Sequence, residues 1–130
     1  MSKEPMDTAL DALKAYIAAT NTHRFDLVRP LIDPSASYWF GERVHENLGD
    51  VQAAFERAWT SVADEVYEVG DCRWLVETAE HAVVTYRYRW RGLVDGIERC
   101  GGGLGTNVLV CQSGAWRVVH EHLTPQVTAR

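Results

Sequence analysis

What the chain has little of narrows its class before any motif is read. No apolar run approaches the roughly 20 residues that a bilayer-spanning helix needs, so no membrane partner is expected. The opening Met1 to Pro5 segment carries charge and lacks the apolar centre of a secretory signal. Only three cysteines occur, Cys72, Cys100 and Cys111. None forms a C-x-x-C pair, and an odd number cannot all pair within one chain. They read as buried, reduced thiols of a cytoplasmic protein. Basic residues are outnumbered, 13 Lys and Arg against 18 Asp and Glu, for a net charge of −5. Nucleic acid is therefore not an expected partner; the one local exception, Arg87, Arg89, Arg91 and Arg99, is spread along a hairpin face. The chain has no phosphate-cradling glycine loop, because Gly101 to Gly105 lies between strands and does not open a helix. No Ser-His-Asp or Cys-His set is suggested by position. His120 and His122 stand roughly 6 to 7 Å apart on one strand face. A metal site wants a third or fourth ligand, and His23, His45 and His81 lie far along the chain in helix or turn regions. No metal and no cofactor are expected.

What is present is an ordinary globular composition, 46% hydrophobic and 24% charged over 130 residues. That suits one domain, residues 1–130, with a real core. Residues 6–20 read as a helix with Met6, Leu10, Leu13 and Ile17 as its apolar stripe and Tyr16 beside it. Asn21-Thr22 can cap a short second helix carrying Phe25, Val28, Leu31 and Ile32, limited by Pro30 and Asp33-Pro34. Ala36 to Phe40 is an aromatic-rich strand. Asn47 or Asp50 opens a third helix with the stripe Val51, Ala54, Phe55, Ala58, Trp59 and Val62. Helical period is lost after about residue 63.

Strands follow: Val66 to Glu77 with a bulge at Gly70-Asp71, Ala82 to Val94, and Ile97 to Gln112 with a kink or bulge in its glycine run. Asp95-Gly96 and Ser113-Gly114 are hairpin turns. Three helices then strands make an α+β domain.

The final strand, Ala115 to Leu123, alternates strictly. Trp116, Val118, His120 and His122 share one face; Arg117, Val119, Glu121 and Leu123 share the other. The first face is too apolar to be left wet, so a homodimer through it is expected. In the preceding hairpin Tyr86, Tyr88 and Trp90 point one way and Arg87, Arg89 and Arg91 the other.

Several segments carry a resemblance: Ala15-Tyr-Ile-Ala-Ala-Thr-Asn21, Phe25-Asp-Leu-Val28, Leu31-Ile-Asp-Pro-Ser-Ala36 and Trp116-Arg-Val-Val-His-Glu-His-Leu-Thr124. Together they resemble the nuclear transport factor 2-like superfamily, closest to its SnoaL-like and calcium/calmodulin-dependent kinase association-domain branches. The resemblance implies a cone of three N-terminal helices packed on a curved antiparallel sheet. It covers nearly the whole chain, and the cone hosts many activities.

In the ketosteroid isomerases of that superfamily a first-helix tyrosine donates to the dienolate oxygen, and Tyr16 matches it. The position of the catalytic aspartate is held by Phe40, which cannot take a proton, so steroid isomerisation is not expected. The second oxyanion donor matches Asn107. Polyketide cyclases of the fold rely on an acid deep in the cone, and the resemblance implies a similar place for Glu121.

In that register Glu121 faces inward among Phe40, Phe55, Trp59, Tyr86, Tyr88, Trp90 and Leu123. Burial would raise its pKa. The resulting expectation is a pocket for a small hydrophobic molecule. Any chemistry would be cofactor-free isomerase, cyclase or dehydratase proton transfer, with Glu121 as acid or base and Tyr16 and Asn107 as donors. The alternative is a non-catalytic binding or dimeric assembly module, in which Glu121 is a paired structural acid and the aromatics are plain core.

Overall fold

A computed structural model describes residues 8–126 of the protein. Thr8 caps the first helix, α1 (Ala9–Thr20), its hydroxyl accepting from the Asp11 amide at 3.0 Å. The buried face of α1 is Ala9, Ala12, Leu13, Tyr16 and Thr20. The expected stripe is thus rotated. Leu10 is 40% exposed, and Met6 lies outside the described residues. The cause is the Tyr16 hydroxyl, which is bonded inside the core and sets the helix rotation.

Asn21 does not cap the second helix. Its side chain instead clamps the backbone of Tyr67, donating to the carbonyl at 2.9 Å and accepting from the amide at 2.7 Å. Helix α2 (Phe25–Val28) begins at Arg24 with no side-chain cap. A 3-10 turn, Arg29–Leu31, follows. Pro30 lacks the N–H that a longer α-helix would use. Ile32, expected in that helix, opens strand β1 (Ile32–Phe40) instead. A short strand not read from sequence, β2 (Arg43–His45), pairs back on β1. Helix α3 (Leu48–Ser61) is capped by Asn47, which accepts from the Asp50 amide at 2.8 Å. Among the described residues no helix follows Ser61, and none is long and apolar enough to cross a membrane.

Strands β3 (Ala63–Glu77), β4 (His81–Val94), β5 (Ile97–Gln112) and β6 (Ala115–Pro125) complete a six-stranded sheet ordered β2-β1-β6-β5-β4-β3. The helices pack on this curved, open sheet, giving the α+β cone. Every strand pair is antiparallel except β1 with β6, which run parallel. At both expected hairpin turns the two residues have positive φ: 53° and 77° at Asp95-Gly96, and the same at Ser113-Gly114. Tight primed turns require that backbone. The β3 bulge falls at Gly70-Asp71 as expected, with the pairing stepping from Gly70 to Arg73 and Asp71 at φ 53°.

Two expectations about irregularity and one about thiols are corrected. The glycine run of β5 is not bulged, since its register with β4 is continuous. The glycines make room for aromatic rings lying across the strand. A Cβ on Gly101 would come within 2.7 Å of Trp90 Nε1, and one on Gly105 within 2.4 Å of Tyr86 Cε1. The irregularity lies in β6. Val108 faces His120, but Leu109 faces Val118, so Val119 is an extra residue. A one-residue insertion exchanges the faces of everything beyond it. Trp116 and Val118 are therefore buried in the core, and so is Glu121. The apolar outer face Trp116-Val118-His120-His122 does not exist as a unit, nor does the inward set Val119-Glu121-Leu123. Cys72 and Cys100 are exposed and Cys111 is partly buried, all three as free thiols.

Candidate functional site

Three elements converge on Glu121. β6 delivers the carboxyl after the Val119 bulge, α1 delivers Tyr16, and β5 delivers Asn107, which sits opposite Glu121 in the antiparallel register. The parallel β1–β6 pairing sets Tyr38 beside Glu121 as well. The hydrogen bonds form two branches that meet on one oxygen. Tyr16 OH donates to Glu121 Oε1 at 2.8 Å, and Asn107 Nδ2 donates to the same oxygen at 3.1 Å. Tyr16 has used its only proton, so the 2.7 Å contact between the Tyr16 and Tyr38 hydroxyls is a donation by Tyr38. On the other branch Tyr86 OH donates to Asn107 Oδ1 at 2.7 Å.

The outcome is polarised. Oε1 receives both donors, while Oε2 has no hydrogen bond among the described residues. When the acid is neutral its proton belongs on Oε2; when it is ionised, Oε2 carries the available lone pairs.

Burial pushes the Glu121 carboxyl up to about 7, against the pull of its bonds from Tyr16 and Asn107. The phenols of Tyr16, Tyr38, Tyr67 and Tyr86 are held well above their ordinary range, first by burial and then by the nearby Glu121 charge. They remain donors at any physiological pH. Arg87, Arg89 and Arg91 are exposed, and no basic group reaches the Glu121 carboxyl among the described residues.

Glu121 lines a cavity of about 410 Å³. Phe40 and Leu123 wall it from β1 and β6, Phe55 and Trp59 from α3, and Tyr88 and Trp90 from β4. These are the aromatic and aliphatic residues singled out from sequence, with one exception. Tyr86 is not in the wall; Gly105 lets its ring lie across β5, and its hydroxyl serves Asn107 instead.

Three contributors were not singled out. Tyr38 completes the Tyr16 branch. The Tyr67 hydroxyl is buried with no hydrogen-bond partner among the described residues, although the Tyr86 hydroxyl is near enough to influence its ionisation. Glu65 lines the same cavity; it is half-buried, and burial raises its pKa against the opposing pull of His23. The His23 ring stacks on Trp59, 5.4 Å between centroids, and its Nε2 lies 2.9 Å from the Glu65 carbonyl oxygen. Alternation in β1 places Tyr38 on the face of Ala36 and Phe40, which was the signal available for it. Glu65 follows a left-handed Asp64, and no sequence period marks its direction.

On the opposite side of the sheet Trp39 packs edge-on against both His120 and His122, at 5.2 and 5.4 Å. The His120 Nδ1 is 2.8 Å from Ser37 Oγ. Among the described residues no group of three or more His, Cys, Asp and Glu is placed to hold a metal.

Residues 9–128 match the family model of the SnoaL-like domain. The chain belongs to that family. No match is found among the curated proteins. Among solved structures the SnoaL-like chain is similar to the CaMKII hub of S. rosetta, at 17% identity with TM-score 0.78, over 97% of this chain and 100% of that one. It is also similar to a nuclear transport factor 2-like superfamily protein of Salmonella enterica, at 12% identity with TM-score 0.79, over 92% and 89% of the two chains. A third likeness is to LinA, at 10% identity with TM-score 0.80, over 92% and 84%. At these identities the likeness is one of fold. It puts the chain among nuclear transport factor 2-like and cystatin-like cones.

Proposed function

We propose that this SnoaL-like chain binds a small hydrophobic molecule in its cone and moves a proton on it without a cofactor, with Glu121 as acid or base. One observation carries the reading. The carboxyl sits at the wall of an apolar cavity with both protein donors on Oε1, Oε2 unpartnered, and an ionisation near 7. A general acid or base works best when it titrates near the working pH. Tyr16 and Asn107 act through Glu121. Tyr16 spends its only proton on that carboxyl and Asn107, fully buried, does not line the cavity, so they orient and stabilise Glu121 and do not hold a ligand oxygen. Isomerisation, cyclisation and dehydration all need such a group. Steroid isomerisation is outside the proposal, because Phe40 stands where that reaction's base would be.

The chromogenic substrate 5-nitrobenzisoxazole tests this, since its ring opens when a base removes one carbon-bound proton in an apolar site. The wild-type protein should accelerate ring opening, with a rate that rises through about pH 7. Glu121→Gln should lose about 10²-fold or more of the acceleration. Equal rates in the two proteins, or a profile without that rise, would defeat the proposal.

A second reading is favoured by the likeness to the S. rosetta hub. Here the chain assembles with copies of itself, through the face of Trp39, His120 and His122. Trp39 is 42% exposed, which is high for tryptophan. Sedimentation at micromolar concentration should show about twice the monomer mass, and Trp39→Glu should return it to monomer. A wild-type monomer refutes this reading and leaves the proton-transfer proposal intact.

A further inference from the structure

The chemistry of the cavity wall specifies more than a hydrophobic ligand. Among the described residues that line it, the groups able to carry charge are two carboxyls, Glu65 and Glu121, and no Lys, Arg or His takes part. Aromatic rings of Phe40, Phe55, Trp59, Tyr67, Tyr88 and Trp90 make up much of the remaining wall. Ring faces are the negative side of the aromatic quadrupole. Two hydroxyl donors of the wall are already used, while the Tyr67 hydroxyl has no partner among the described residues. Tyr16 donates to Glu121, and Thr20 Oγ1 donates to the Tyr16 carbonyl at 2.9 Å. The acidic acceptors are not used. Glu121 is 3% exposed with Oε2 unpartnered, and the Glu65 carboxylate has no hydrogen bond or ion pair among the described residues.

From this arrangement we infer that the ligand of the cavity is a hydrophobic amine, bound as its ammonium ion between the Glu65 and Glu121 carboxylates and the surrounding ring faces. The inference deepens the proposed reading of the cavity as a ligand site and rests on it. An ammonium brings the positive charge that the wall lacks. It gains cation–π attraction in a desolvated place, where that attraction is strongest. A carboxylate ligand would face two like charges and the negative faces of the rings. A neutral alcohol would gain only from apolar burial and one hydrogen bond.

Bound charge also alters ionisation. The groups facing Glu121 are the phenols of Tyr16, Tyr38, Tyr67, Tyr86 and Tyr88, with the Asn107 amide. Those facing Glu65 are His23 and Tyr67. The phenols stay neutral, so a cation entering below the Glu121 midpoint of about 7 displaces the Oε2 proton. Amine binding in acid is therefore coupled to proton release.

The test is calorimetry on the whole chain with three probes of one shape: 2-naphthylmethylamine, 2-naphthylmethanol and 2-naphthoate. At about pH 8 the amine should bind ~10-fold or more tighter than the alcohol, and the naphthoate weakest of the three. Glu65→Gln and Glu121→Gln should each erase much of that preference while the alcohol's affinity stays within about threefold, which shows that the cavity is intact. Near pH 6 the heat of amine binding should depend on the buffer's ionisation enthalpy, as proton release requires, and the heat of alcohol binding should not. If the alcohol or the naphthoate binds as tightly as the amine, the ammonium assignment is overturned and the ligand cavity survives. If none of the three binds, the cavity reading itself falls, and this inference with it.

Discussion

Replacing Glu121 with Gln should stabilise the protein at high pH and leave it unchanged in acid. The carboxyl moves from its ordinary 4.5 to about 7 when the chain folds around it. Below 4.5 both the native and the unfolded chain hold the proton, and burial of the neutral acid adds no ionisation penalty. Between these values the unfolded chain has released the proton while the native one keeps it. Stability therefore falls as pH rises through this window. Above about 7 both states are ionised and the loss is complete. The difference between the two values corresponds to about 3 kcal/mol.

Gln has the same shape, and its amide oxygen can take the place of Oε1, accepting from Tyr16 and Asn107, without titrating. Urea unfolding of both proteins, followed by circular dichroism at a series of pH values, gives the stability difference directly. Other titrating groups are common to the two chains and cancel. The difference should be within ~0.5 kcal/mol near pH 4.5 and grow to ~3 kcal/mol in favour of Gln near pH 8.5. A difference that does not change with pH would refute the burial argument, as would a wild type that is the more stable protein near pH 8.5.

Tyr16→Phe removes a donor to Glu121 and strands the Tyr38 proton; Glu121 should then titrate above its wild-type value, read by carbon NMR of labelled glutamate. The stability loss should be ~1–3 kcal/mol by urea unfolding, as for a buried group left unpaired. Gly105→Ala places a Cβ 2.4 Å from Tyr86 Cε1 and 2.9 Å from Leu123 Cδ2. A cost of ~1–3 kcal/mol is expected from such overpacking. Gly70→Ala, whose Cβ would meet nothing within 4 Å, should stay within ~0.5 kcal/mol of wild type, both glycine variants being read by urea unfolding.

The order of helices and strands was legible because each rests on a local signal. The α3 stripe, the Asn47 cap and the two Gly-containing turns specify their own geometry with little help from the rest of the chain. The α1 rotation was not legible. Apolar periodicity favoured Leu10 over Tyr16, whereas a phenol that finds a buried acceptor can outweigh one exposed leucine. The parallel β1–β6 contact joins residues about 83 positions apart, such as Ser37 and His120, and no turn announces it. That is why Tyr38 was seen only as one aromatic among many. Of the six expected wall residues that line the cavity, Phe55, Trp59, Tyr88 and Trp90 do so because alternation in β4 and helical period in α3 hold locally. Tyr86 departs because the space above it was made by a glycine on the neighbouring strand, a property of the pair and not of β4 alone. Glu65 departs because Asp64 turns the chain just before it.

The Val119 bulge is the point where sequence pattern and site part company, and it explains why an acid stands where it does. Strict alternation would give Trp116 and Val118 the same face as His120 and His122. With Trp116 and Val118 in the core, both histidines would then be inside and Glu121 outside. One inserted residue keeps the upper half of β6 as core and turns only its lower half. A packed core gains nothing from this, since an apolar side chain at position 121 would avoid the ionisation penalty of about 3 kcal/mol at neutral pH. Yet the surroundings fit an acid closely. Tyr16 and Asn107 donate to a single oxygen, and Tyr38 and Tyr86 donate in turn to those two residues, an arrangement that apolar packing neither needs nor produces. Buried polar networks are stable only when each member is satisfied. This one is satisfied around Oε1, while Oε2 is unpartnered among the described residues and Glu121 lines a cavity large enough for a ligand. The bulged strand, the costly acid and the unpartnered oxygen coincide in one residue, and the coincidence is what makes Glu121 the residue on which function should turn.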